Sequence, residues 1–328
     1  WSRGLGDVYK RQVRVGARPD SPLQVIPRDV IFIIDVSASI THKRVEQFKA
    51  GVRGALALLH PADRFNIIRF RQNVDFVSPT FLPASEAKSE RVQQFINALR
   101  SEGTTDFFGS LLPLSQLNRE RGRLLHAVVL SDGQPTTGIL DTMQILHRFA
   151  QINAGRSSVS TFAGGKDVNH FLLGFLAQRN QGRLDYVSEP EAMAAAFVQV
   201  CQLYANPLLL DVEFRFAGVD QEEVYPRTPP HLYRDMPLTL YGRYPRNQLK
   251  RLAVQIRGEA VTGQPMELTA VRNFPAQDTG VSNIAQDWAQ QKVNHLLMRW
   301  IDTGNKAFHD EAAALARQFR LPLPSLRR

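Results

Sequence analysis

Three short stretches of this chain place small oxygen-bearing side chains where apolar runs stop. The first is Asp35-Val36-Ser37-Ala38-Ser39, directly after Val30-Ile31-Phe32-Ile33-Ile34. The second is Gly103-Thr104-Thr105-Asp106, ahead of the helix-like FFGSLL. The third is Ser131-Asp132-Gly133, directly after LLHAVVL. The side chains on offer are carboxylates and hydroxyls, with no His and no Cys among them. Hard oxygen donors of this kind select Mg²⁺, Mn²⁺ or Ca²⁺ over zinc or copper. Two carboxylates and a few hydroxyls do not usually fill a six-coordinate shell. A position stays open to solvent, or to an acidic side chain brought by a partner, which makes such a cation a docking point for a carboxylate.

Each stretch alone has an ordinary explanation. Ser39 could cap a helix beginning near His42, and Thr104 or Thr105 could cap the helix that opens with FFGSLL. Asp132-Gly133 could be only a turn. Their joint appearance at strand ends favours a shared site, because ligands bind at the carboxyl edge of open α/β sheets.

The elements around them support that edge. Val30 to Ile34 form a β-branched block that reads as a strand covered on both faces. Val45, Phe48, Val52, Leu56 and Leu59 recur at three- and four-residue spacing and predict a helix over about 42–59. RFNIIRF predicts a second strand and FVSPTFLP an edge strand, because of its prolines. Helices are expected near 86–99, 109–118 and 141–153, strands at LLHAVVL and SSVSTFAGG, a helix at FLLGFLAQR, a short strand at LDYVS and a closing helix over 189–204. Strands alternating with helices imply a doubly wound, mainly parallel α/β sheet. After Pro207 the texture becomes LLLDVEFRFAG, EEVYP, MPLTLYGRY, KRLAVQIRGEA and PMELTAVRNF, short strands with one wet face. Two helices follow, about 284–301 and 308–319. The expected organisation is a lead-in or remnant of a preceding domain over 13–28, an α/β domain over 29–205, a small β-rich module over 206–275 and a helical tail over 276–328. The opening WSRGLGDVYKRQ, residues 1–12, resembles a translated sequencing-adapter remnant.

Bulk properties exclude more than they select. The chain has 328 residues, a net charge of +9 and one cysteine, Cys201. A lone cysteine forms no intramolecular disulfide and reads as a small core residue. The basic residues are scattered with no dense tract, so a nucleic-acid partner is not expected. No run approaches the roughly 20 apolar residues of a membrane helix. His42 reads as an exposed residue of a first helical turn, and Arg64, Arg69 and Arg71 as a solvated edge. The helix WAQQKVNHLLMRW is expected to pack on the β-rich module.

D-x-S-x-S after the first strand, the loop threonine and the later S-D-G resemble the von Willebrand factor A domain with its metal-ion-dependent adhesion site. The resemblance implies that Asp35, Ser37, Ser39, Thr105 and Asp132 surround a divalent cation, Mg²⁺ first with Mn²⁺ or Ca²⁺ possible. Spacing to the following helix favours Thr105 over Thr104. Ala38 stands where many members have Gly. HPADRFNIIRF and the region from Asn206 to LPLPS are similar to bacterial relatives of the inter-alpha-trypsin inhibitor heavy chains. That resemblance implies a protein or matrix ligand presenting Asp or Glu, and an extracytoplasmic setting. Two other readings stand beside it. One is a cytoplasmic adaptor of an AAA-type ATPase. The other, an Mg²⁺-dependent hydrolase, is disfavoured, since the chain lacks G-x-x-x-x-G-K-S/T, H-E-x-x-H and G-x-S-x-G, and Ser37 breaks an aspartyl-phosphate D-x-D.

Overall fold

The computed structural model describes residues 8–17, 21–245, 251–273 and 283–324. Residues 1–7 of the opening stretch, the start of the tail at 276–282 and Ser325 of LPLPS lie outside these. In chain order the elements are β1 (Val8–Val15), β2 (Arg28–Asp35), α1 (His42–Leu56), β3 (Arg64–Phe70), β4 (Val74–Phe76), β5 (Leu82–Pro83), α2 (Glu90–Asn97), α3 (Phe107–Ser115) and β6 (Leu124–Leu130). They continue with α4 (Thr142–Asn153), β7 (Ser158–Gly164), α5 (His170–Arg179), β8 (Leu184–Val187), α6 (Met193–Leu203), β9 (Pro207–Phe216) and β10 (Leu232–Tyr233). The chain closes with β11 (Leu238–Pro245), β12 (Arg251–Glu259), β13 (Pro265–Asn273), α7 (Ile284–Thr303) and α8 (Lys306–Phe319).

The main sheet runs β4-β3-β2-β6-β7-β8, with β5 also on β3. Strands β3, β2, β6, β7 and β8 are parallel. FVSPTFLP does not make one edge strand. It breaks at Ser78-Pro79 into β4 and β5, both antiparallel to β3, because Pro79 has no N–H for a ladder.

Alternation along β2 separates the two layers. Ile31 and Ile33 face α3, α4 and α5 through Phe107, Leu146, Phe149 and Leu172. Val30, Phe32 and Ile34 face α1, α2 and α6 through Phe48, Val52, Ile96 and Phe197. A strand buried on both sides is apolar at every step rather than at alternate ones, which is why the β2 run is continuous.

The β-rich part forms two sheets, β10-β9-β12-β13 and the pair β1-β11. EEVYP is not a strand: Gln221–Glu223 is a 3-10 turn, and only Tyr225 bridges to Tyr241. The tail joins both parts of the molecule. Val293, Leu296, Leu297 and Ile301 of α7, with Ala312 and Ala316 of α8, belong to the same buried cluster as Phe149 and Phe171. Trp288 and Ala289, at the other end of α7, pack on Tyr225 beside Tyr241. The expectation that this helix packs on the β-rich module is therefore half the picture. Its middle covers the layer of α3, α4 and α5. No helix among the described residues is long and apolar enough to cross a membrane.

Candidate metal centre

Strand register brings the first and third stretches together. Ile34 pairs with Leu130, so Asp35 and Ser131 lie side by side one step past the ladder. The Ser131 hydroxyl donates to Asp35 Oδ2 at 2.6 Å and accepts from the Gly133 amide at 2.9 Å. The Ser37 amide donates to Asp35 Oδ1 at 2.9 Å. The Ser37 and Ser39 hydroxyls are 3.1 Å apart.

The second stretch is stitched to both others by backbone bonds. The Ala38 amide donates to the Gly103 carbonyl at 3.1 Å, and the Glu102 amide to the Val36 carbonyl at 2.9 Å. The Thr136 and Thr137 amides, just beyond Asp132, donate to the Thr105 carbonyl at 3.0 and 3.1 Å. The Thr105 amide donates to the Thr136 hydroxyl at 2.8 Å. All three loops thus meet at the carboxyl edge of β2 and β6. Asp35, Ser37, Thr105 and Asp132 are buried there, and Ser39 is exposed.

The ordinary explanations can now be weighed. Helix α1 is capped by Thr41, whose side chain accepts from the Arg44 amide, not by Ser39. Helix α3 is capped by Asp106, which accepts from the Gly109 amide at 2.8 Å, not by Thr104 or Thr105. Ser39 and Thr105 are left without a capping role. Asp132 does make a turn bond, accepting from the Gln134 amide at 3.2 Å, and Gly133 sits at φ +68°. Its turn also packs against α5, since the Asn169 amide donates to the Asp132 carbonyl at 2.8 Å.

Electrostatics make the site a receptor for positive charge. Burial pushes the Asp35 carboxyl up to about 6, and the neighbouring Asp132 adds to the push against the hydrogen bonds from Ser131 and Ser37. Burial likewise raises Asp132, with the Ser39 hydroxyl beside it and Arg44 opposing. Two buried carboxylates that disfavour each other's charge are a strained arrangement in a low dielectric. A divalent cation removes that strain. Among the described residues no three His, Cys, Asp or Glu side chains gather as metal ligands, so a cation here depends on the hydroxyls of Ser37, Ser39 and Thr105 as well as the carboxylates. That all-oxygen set fits Mg²⁺, Mn²⁺ or Ca²⁺.

Two participants were not singled out from sequence. Ser131 was quoted only as part of a loop, yet it orients Asp35. Arg44 lies with Nη1 3.7 Å from Asp132 Oδ2, its side chain only 11% exposed. No sequence signal points to Arg44, whose guanidinium lies over Gly165, a residue at φ +93° that leaves it space. His42 is exposed, as expected, 3.9 Å from Glu46. The three arginines are not a bare solvated edge. Arg64 pairs with Asp29 at 2.6 Å, Arg69 with Asp75 at 3.0 Å and Arg71 with Glu102. The Cys201 thiol is pushed up to about 12 by burial.

A doubly wound parallel sheet with carboxylates and hydroxyls converging at its carboxyl edge defines a class of open α/β domains built to present a ligand site there. Residues 28–186, just under half of the chain, match the model of the von Willebrand factor type A domain, and that segment is a von Willebrand factor A domain. The chain is similar to inter-alpha-trypsin inhibitor heavy chain H4 of Bos taurus, 27% identical over 324 residues, covering 93% of this chain and 35% of the relative. It is also similar to heavy chain H1 of Sus scrofa, 26% identical over 249 residues, covering 74% of this chain and 28% of the relative. The chain spans about a third of the length of these curated relatives. Among solved structures, a von Willebrand factor type A protein from Catenulispora acidiphila superimposes with a TM-score of 0.62 at 15% identity, over 96% of this chain and 87% of that one. At that identity the likeness is one of fold.

Proposed function

We propose that this protein is a metal-dependent protein-binding module. A divalent cation, Mg²⁺ first, is held by Asp35, Ser37, Ser39, Thr105 and Asp132, and an Asp or Glu of a protein ligand completes its coordination. The observation that carries this reading is the convergence of two mutually destabilised carboxylates with hydroxyls that serve no helix cap. When bound, the cation supplies a positive centre for the ligand carboxylate. The chain's own residues position the site. Ser131 and the Ser37 amide hold the Asp35 carboxylate in place, and α5 braces the Asp132 turn. The function proposed is binding, not turnover: the sequence lacks the nucleophile and phosphate-cradle motifs of the hydrolase alternative.

The test is selection from a randomised peptide-display library on immobilised full chain in the presence of Mg²⁺. Enriched peptides carrying an Asp or Glu, released by EDTA and not retained by an Asp35→Ala protein, support the reading. Acidic peptides retained equally with EDTA would refute it.

A further inference from the structure

A cleft of about 890 Å³, reaching the Asp132 turn at Asn169, lies between α5, the β-rich part and α7. One wall is the strand β11. The Tyr241 amide and carbonyl both bond to Tyr225, at 2.8 Å each. Successive residues of an antiparallel strand point their backbone groups to opposite edges, so residues two apart share an edge. Strand β11 pairs with β1 in unbroken register, Gln12 opposite Tyr241 and Arg14 opposite Thr239. Since Tyr241 points away from β1, Thr239 does too. Beyond Tyr225 the chain departs at Pro226 and the ladder is not continued past the single bridge. The Thr239 N–H and C=O therefore face the cleft without a backbone partner among the described residues. An unmet, half-buried peptide edge is a template for another strand.

The rest of the lining agrees in chemistry. Gln178, Gln290, Gln291 and Asn294 present carboxamides, each both donor and acceptor, as a peptide backbone requires. Among the described residues the lining contains no carboxylate. Its one guanidinium, Arg183, is matched by Asp185. Among the described residues a cationic ligand would find no carboxylate here and an anionic one no unmatched guanidinium. Phe171, Phe175 and Tyr204 are at most 4% exposed and serve as floor for apolar side chains, beside the Tyr241 and His170 rings that also line the cleft.

We propose that this cleft accepts an extended, uncharged peptide segment of a partner protein, which adds a strand to β11 at Thr239. This site goes beyond the metal-dependent one and needs no cation. The test uses the full chain and the same kind of peptide-display library, selected in EDTA. The expected result is enrichment of uncharged peptides with alternating apolar residues, bound equally by wild type and Asp35→Ala. A synthetic copy of an enriched peptide slows hydrogen exchange of the Thr239 amide in wild type. Thr239→Ala, which keeps the backbone donor, retains affinity, whereas Thr239→Pro loses about tenfold, the worth of a backbone hydrogen bond. Gln291→Ala weakens binding without touching the strand and guards against a Thr239→Pro protein that misfolds. No enrichment by folded wild type, no protection of Thr239, or enrichment of neutral oligosaccharides instead from a glycan array would overturn the proposal.

Discussion

Asp35 carries the sharpest consequences at the scale of single residues. Its carboxyl, raised to about 6, binds a proton more tightly folded than unfolded. It therefore favours the fold at low pH, and that contribution is lost as pH rises through about 6. In the metal-free protein at about pH 7, Asp35→Asn should stabilise by on the order of 2 kcal/mol relative to wild type. The gain should vanish at about pH 4. Denaturant titrations of both proteins in EDTA at the two pH values check this; a destabilised Asn variant at neutral pH would contradict it. Protons also compete with the cation. Affinity for Mg²⁺ should be flat above pH 7 and fall by up to about tenfold per pH unit below about 6, as calorimetric titration across that range will read. Arg44 acts in the opposite sense to a bound cation, because its guanidinium already neutralises part of Asp132. Arg44→Gln should tighten Mg²⁺ binding roughly fivefold, an effect of about 1 kcal/mol for a screened charge. Unchanged or weaker binding in the same titration would show that the guanidinium supports the site instead. Of these residues the sequence disclosed the donors themselves, since each sits just past an apolar run or ahead of a helix. It did not disclose Ser131 bonding to Asp35, which depends on the register of two strands 96 residues apart, nor the fold of Arg44 over Gly165.

Among elements, the Asp132 turn in the loop between β6 and α4 depends on Gly133. Gly133 has φ +68°, and a Cβ there would lie 2.9 Å from Leu173 Cγ of α5. Gly133→Ala should cost about 1–2 kcal/mol from the left-handed backbone and weaken the cation site by moving Asp132. Thermal unfolding and Mg²⁺ titration on the variant measure the two effects; loss of stability with full cation affinity would show that Asp132 is positioned independently of α5. The α/β elements were legible because doubly buried strands are apolar throughout and the helices show a single apolar stripe. The ends were less so. Helix α1 stops at Leu56, earlier than the periodicity suggested. The FVSPTFLP and EEVYP segments depart from simple strands because Pro79 and Pro226 cannot donate to a ladder.

For the whole molecule, the tail is the feature least legible in sequence. The apolar stripe of α7 announces burial but not its partner, and the partner turns out to be both the α/β part and the β-rich part. Leu297, 0% exposed within the main cluster, should destabilise the α/β layers themselves when truncated. Leu297→Ala is expected to cost about 2–5 kcal/mol, with one cooperative transition of the whole chain shifted down. A variant in which only the β-rich part loosens, while hydrogen exchange in β2 and β6 stays at the wild-type rate, would contradict that coupling. The pairing of β1 with β11 was equally hidden, because antiparallel partners so distant in the chain, such as Val15 and Leu238 at one end of that pair, share no local pattern.

The central claim is that five oxygen-bearing side chains on three loops form one cation site. Calorimetric titration of the full chain with Mg²⁺, Mn²⁺ and Ca²⁺, beside the Asp35→Ala and Asp132→Ala variants, tests it most directly. The account predicts saturable one-to-one binding by wild type, lost in both variants while circular dichroism shows the fold retained. Folded wild-type protein that binds none of the three cations, or variants that bind as wild type does, would contradict it.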